Sequence, residues 1–238
     1  MLDQQERLKR ITSSNARLRQ DTELLSVPFK QGQVVPGKHQ RAAFSLSPAD
    51  TSQILKGCKE LHVTVTHVYH ASIAMFLRDL QPSRSQERTA RYISYCLINE
   101  RPNCACPYNS VDHAATVYHS VSGNSLALDL TIPSTADRSL NDYPSAEQSQ
   151  NEFHDLVNQV KNFYTSIRNS TDNLALAPSV FSMATSHVAN PGSKTPLDRP
   201  VPAPNLSPSV SISSMGMLDS LITPATRHLY SERSMGHG

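Results

Sequence analysis

The sequence predicts an α/β fold. Three stretches, over residues 48–61, 66–80 and 145–169, carry the three-and-four apolar spacing of helices that bury one side. Runs rich in β-branched and aromatic residues at 91–99, 114–121 and 126–132 read as strands set among them. At 238 residues the chain is long enough for one large domain or two small ones, since single cores grow up to roughly 250–300 residues. Its apolar fraction of 38% and its 16 prolines, gathered late in the chain, point to a real core with long connections. No self-similarity at a period of about 20–50 residues is visible.

Taken in order, Leu8, Ile11 and Leu18 among many charges predict a short amphipathic helix over residues 1–20 with little to bury. Residues 27–41 (VPFKQGQVVPGKHQR) show no periodicity and read as a surface linker. The alternation of 43–46 predicts a short strand. Ser47, Pro48 and Asp50 then give an N-cap, a first-turn proline and a first-turn acid. The helix they open should bury Ile54, Leu55, Cys58 and Leu61. A second helix, capped by Thr66, carries Val68, Ala71, Ile73, Ala74, Met75, Phe76 and Leu77 almost all round and belongs in a core.

The 91–99 run is apolar on both faces, as an interior strand is. The runs 114–121 and 126–132 flank Ser122-Gly123-Asn124-Ser125, a hairpin signal. Over 145–169, Phe153, Leu156, Val157, Val160, Phe163, Tyr164 and Ile167 line one stripe of the clearest amphipathic helix in the chain. Residues 190–208 are too rich in proline for regular structure, 210–213 read as a last short strand, and 223–238 as a loose tail. The resulting division is 1–41 (helix and crossover linker), 42–222 (main domain) and 223–238.

A net charge of +2 with scattered basic residues argues against a nucleic-acid partner. No stretch approaches the roughly 18 apolar residues of a membrane span, and the N-terminus is charged where a signal peptide would be apolar, so the expected compartment is the cytoplasm. In that compartment Cys58, Cys96, Cys104 and Cys106 are expected as free thiols, and the sequons at Asn169 and Asn205 as unused.

Among ten histidines, His67 and His70 lie three apart and share a helical face, which makes them the candidate pair for proton transfer or metal binding. No HExxH pattern accompanies them, and Glu60 and Asp79 are off the spacing, so the competing reading is packing and capping. His113 and His119 share one face of a strand and read as solvated polar residues. Cys104-Ala105-Cys106 has the wrong spacing for a zinc site and no second pair, so no metal is expected. With 8 glycines and no phosphate loop, nucleotide chemistry by those motifs is set aside.

The segments VPGKHQRAAFSLSPADTSQILKGCKELHVTVTHVYHASIAMFLRDL, RYISYCLINERP and HAATVYHSVSGNSLALDLTIP resemble the fungal trichothecene 15-O-acetyltransferases. That family belongs to the chloramphenicol-acetyltransferase-like class, with the plant BAHD acyltransferases. The resemblance runs from residue 27 to about 221, and is most specific at PGKHQR (36–41) and TVTHVYHASIA (64–74). It implies a mixed-sheet sandwich of two halves, of which this chain matches mainly the second. It also implies transfer of acetyl from acetyl-CoA, as cosubstrate with no bound cofactor, to a terpenoid alcohol in mycotoxin biosynthesis. The family's base is the histidine of an HxxxD motif in its first half. No histidine of this chain has an aspartate four positions on. Two readings therefore stay open: an acetyltransferase completed by a partner chain that supplies the other half, and a truncated, non-catalytic homologue that serves as a binding or partner subunit.

Overall fold

The computed structural model describes residues 3–28, 41–110, 119–135, 145–184 and 210–214. Within them the elements run α1 (Gln4–Gln20), β1 (Glu23–Leu24), α2 (Pro48–Glu60), α3 (Val65–Asp79), β2 (Arg88–Ser94), β3 (Leu97–Asn99), a 3-10 turn (Arg101–Asn103), β4 (His119–Val121), β5 (Leu126–Ile132), α4 (Ala146–Arg168) and α5 (Thr171–Ala184). Two sheets form: β1-β2-β5, with β1 parallel and β5 antiparallel to β2, and the antiparallel pair β3-β4. Helices and a mixed sheet make this an α/β arrangement.

The register places Ala90 opposite Leu130, Tyr92 opposite Leu128 and Ser94 opposite Leu126. With Ile132 these residues form the buried face, which α3 and α4 cover. Alternation turns Asp129 and Thr131 outward. On that side Arg91 grips Asp129 with two hydrogen bonds, at 2.6 and 2.8 Å, and donates to the Leu18 carbonyl at the end of α1. Cross-strand pairing and the docking of α1 thus meet on one guanidinium. Residues after α1 also enter the core: Leu25 is buried, and Glu23 accepts from both Arg84 and Arg88.

α4 follows the predicted stripe. Ser145 and Gln148 close a reciprocal capping box at its start, Leu156, Val157, Val160 and Ile167 are buried, and Phe153, Phe163 and Tyr164 pack against the core. α3 starts two residues earlier than expected, because Thr64 rather than Thr66 is the cap. Its core face is His67, His70, Ala71, Ala74, Leu77 and Arg78, while Tyr69 and Phe76 are exposed, so the helix is not enclosed all round. Arg78 is held at that buried position by Glu152 at 2.5 Å and Asp79 at 2.9 Å. Burial alone would lower its pKa, but these hydrogen bonds more than reverse the effect.

α2 ends in a Schellman turn: the Val63 amide donates to the Cys58 carbonyl at 2.8 Å and the His62 amide to Lys59 at 3.1 Å. The left-handed position is His62, at φ 53°, where a side chain crowds the carbonyl and glycine does not. His62→Gly is therefore expected to raise stability by about 1 kcal/mol, read as a shift in the urea midpoint at unchanged slope.

Several expectations are corrected. The 91–99 run is not one strand: it begins at Arg88 and breaks at Tyr95–Cys96 into β2 and β3, which join different sheets. Among the described residues the hairpin is likewise not formed, since β4 pairs with β3 and β5 with β2. Its turn is held by helices instead: the Asn15 side chain donates to the Gly123 carbonyl at 2.8 Å and accepts from the Ser125 amide at 2.9 Å. A Cβ on Gly123 would sit 3.0 Å from the Ile11 Cδ1, so α1 approaches this turn closely and a side chain here would have to push the end of Ile11 aside by a few tenths of an ångström. Residues 41–47 form no strand. Neither do 210–213, although Val210 packs on the core and the Ser211 hydroxyl meets that of Tyr95 at 2.8 Å. Of the α2 stripe only Cys58 is buried. The expected loop at 190–208 and tail at 223–238 lie outside the described residues, as do His113, residues 114–118 and most of the linker.

Candidate functional site

α3 brings His67 and His70 onto its buried face, as their spacing requires. Both meet Tyr164 of α4, with ring centroids 5.2 and 5.8 Å away. His70 is 0% exposed and bridges two hydroxyls: Nδ1 lies 3.1 Å from the Tyr92 oxygen and Nε2 3.2 Å from the Tyr164 oxygen. A neutral imidazole donates through one nitrogen and accepts through the other, so this bridge matches the neutral ring. Tyr164 also hydrogen-bonds the Cys96 thiol. The chain Tyr92–His70–Tyr164–Cys96 therefore ties α3, the β2–β3 break and α4 together.

Electrostatics follow from burial. Loss of hydration, and then the neighbouring His67, push the His70 pKa down to about 4. His67 is lowered too, first by burial and then by the charges of Arg168 and Lys161. Burial lifts the Cys96 thiol to about 11. It also lifts the hydroxyls of Tyr92 and Tyr164 above the ordinary tyrosine range. Every member of the cluster is uncharged near neutral pH.

A general base must offer a lone pair to the substrate hydroxyl. His70 has both nitrogens engaged. His67 is 7% exposed, and its Nδ1 lone pair accepts the Thr64 amide at 3.2 Å while the Thr64 hydroxyl accepts the His67 amide at 3.4 Å. It thus plays the part usually taken by Glu or Gln in a capping box, and its proton sits on Nε2. In this conformation neither ring presents a free lone pair to a substrate.

The other candidates lie apart. His119 stands exposed at the start of β4, on the solvated face its spacing indicated. Cys104 and Cys106 flank an exposed turn, and Cys58 and Cys96 are buried in the core. Among the described residues no three His, Cys, Asp or Glu side chains gather as a metal site, and no helix is long and apolar enough to cross a membrane.

Sequence reasoning missed the tyrosines that complete the cluster, which lie 22 and 94 positions from His70. A buried polar residue on an apolar helix face is itself the signal that partners must exist, but not where they are. It also missed buried Glu100, which accepts from Asn103 at 2.7 Å and from the Ser120 hydroxyl.

No protein-family model matches the chain, and no solved structure matches it. Among curated proteins, it is similar to the O-acetyltransferase pigM of Monascus ruber, 36% identical over 92 residues. That stretch is 38% of this chain and 18% of the relative, so the chain spans less than a fifth of the curated protein it matches. At this level the relationship is with an O-acetyltransferase, and nothing in the match singles out the trichothecene 15-O-acetyltransferases.

Proposed function

We propose that this chain takes part in O-acetyl transfer from acetyl-CoA to an alcohol in the cytoplasm, within fungal secondary metabolism, with a trichothecene-like terpenoid as acceptor. The observation that carries the reading is the 36% identity over 92 residues to the Monascus O-acetyltransferase; the terpenoid comes from the resemblance of the segments at 35–80, 91–102 and 113–133. In such a transfer a base takes the hydroxyl proton and the oxygen attacks the thioester carbonyl. An ester C–O bond forms as the C–S bond breaks, and the departing thiolate is protonated. A neutral imidazole suits this proton transfer near pH 7.

This chain has no HxxxD, and the lone pairs of His67 and His70 are engaged as described. The reading therefore draws its base from a partner chain that carries an HxxxD half. The test is to incubate the chain with acetyl-CoA and a deacetylated trichothecene, with and without an HxxxD-bearing fragment of a related acetyltransferase. Product is read by mass, because the exposed Cys106 thiol would also consume a thiol reagent. Product only with the fragment is expected. Product from the chain alone would place the base within it and make His67→Ala and His70→Ala the next variants. Silence in both arms, across a panel of other alcohols as well, would overturn the reading in favour of a non-catalytic binding protein.

A further inference from the structure

α3 and α4 pack with the start of one beside the end of the other, and the two ends of the pair treat charge differently. Arg78, late in α3, reaches Glu152, early in α4, and its guanidinium is bonded to that carboxylate and to Asp79. At the opposite end His67, in the first turn of α3, lies over Tyr164, late in α4, with ring centroids 5.2 Å apart. Lys161 and Arg168 stand one turn before Tyr164 and one turn after it, so the three residues share a side of α4. Both cations act on the His67 ring, and no carboxylate is among the charges that do. Neither makes an ion pair or a side-chain hydrogen bond among the described residues. Glu60, the last acid before α3 in the chain, faces Lys56 of its own helix.

His67 supplies an independent sign of a ligand. It is 7% exposed, and its Nδ1 is spent on the Thr64 amide. The ring proton is therefore on Nε2, on the side of the imidazole away from Thr64, where no acceptor stands among the described residues. A buried donor of this kind calls for a partner. The amides of Val65 and Thr66 have no partner within the helix either, and they form the positive end of its dipole. We infer that His67 Nε2, Lys161 and Arg168 make an anion site at the start of α3, and that its ligand is a phosphate group. A phosphate offers several acceptor oxygens and up to two negative charges, which match two unpaired cations and a neutral donor better than a carboxylate does. The site stands without the acetyl-transfer reading. That reading enters only in naming one source of the phosphate, since CoA carries phosphates and a small phosphate ester is the other source.

The test titrates the full chain with inorganic phosphate and with CoA by calorimetry at low ionic strength, and follows the His67 imidazole N–H by NMR. Saturable binding is expected, with the His67 resonance moving as the site fills and affinity falling as salt is raised. Lys161→Met and Arg168→Gln should each weaken binding by about tenfold, the loss expected for one charge-assisted hydrogen bond. The melting curve should not move, because neither side chain has a partner to lose among the described residues. His67→Glu keeps the capping box, where Glu is the usual residue, and puts a carboxylate in place of the donor. It should abolish binding while the fold stands. No saturable binding of either probe, or binding that all three variants leave intact, would overturn the inference. CoA that displaces phosphate and binds at least about tenfold tighter assigns the site to the acyl donor. CoA that binds no tighter than phosphate keeps the site, gives it to a small phosphate ester and counts against the donor's phosphates lying here.

Discussion

Lowering the pH from 7 to 4 is expected to remove about 3 kcal/mol of stability through His70 alone. Its ring titrates near 4 in the fold, against the 6.5 of a histidine free in water. Between those values the unfolded chain holds a proton that the folded chain refuses, so acid favours unfolding. The stability is whole above the unfolded value and falls by about 1.4 kcal/mol per pH unit below it. The loss levels off once the pH passes the folded value. His67 is shifted in the same direction and steepens the fall. Urea unfolding at pH 7, 5.5 and 4.5 would measure it, with His70→Gln as the control. Glutamine keeps a donor and an acceptor for the two tyrosines but does not titrate. Equal pH slopes for the two proteins would sink the assignment to His70.

Leu156→Ala and Leu55→Ala are expected to differ by about 3 kcal/mol, although both leucines lie on the apolar stripe of an amphipathic helix. Leu156 is 2% exposed in the main core. Truncation there removes its burial and leaves a cavity that α3, α4 and β5 cannot close without moving, a combination that costs about 2–5 kcal/mol. Leu55 is half in water already, so its truncation in the isolated chain should cost under about 0.5 kcal/mol. Urea midpoints of the two variants against the parent read the difference directly. A loss of 2 kcal/mol or more at Leu55 would mean that α2 is seated in the free chain as firmly as α4.

These two leucines also show where the sequence stops being informative. A helical period says which side of a helix is apolar, but not whether anything stands opposite. For α4 the two coincide, because Ser145 and Gln148 fix the start and α3 and the sheet provide the opposing wall. For α2 they do not. The break at Tyr95–Cys96 carries no glycine or proline to announce it. It follows instead from the pull of two partners, β5 and β4, that lie elsewhere in the chain. The turn at 122–125 was legible as a turn, but a local signal cannot choose a strand's partner. α5 went unread because Pro178 interrupts its pattern. At the candidate site the shared face of His67 and His70 was legible from their spacing. What those rings do depends on Thr64, within reach of a sequence argument, and on Tyr92 and Tyr164, beyond it.

The break between β2 and β3 has a mechanical consequence. At that point the Cys96 amide donates to the Ser122 hydroxyl at 3.0 Å, and the Ser122 amide returns a bond to the Cys96 carbonyl at 2.9 Å. Ser122 sits between β4 and β5 just as Cys96 sits between β2 and β3, so one doubly bonded residue pair is the joint at which both chain segments pass from one sheet to the other. Each bond contributes about 1 kcal/mol, and both are buried. Shear of the two sheets against each other would strain both bonds of this joint. The two sheets are thereby pinned to each other at one buried residue pair, four positions along the chain from Tyr92 of the tyrosine–histidine cluster.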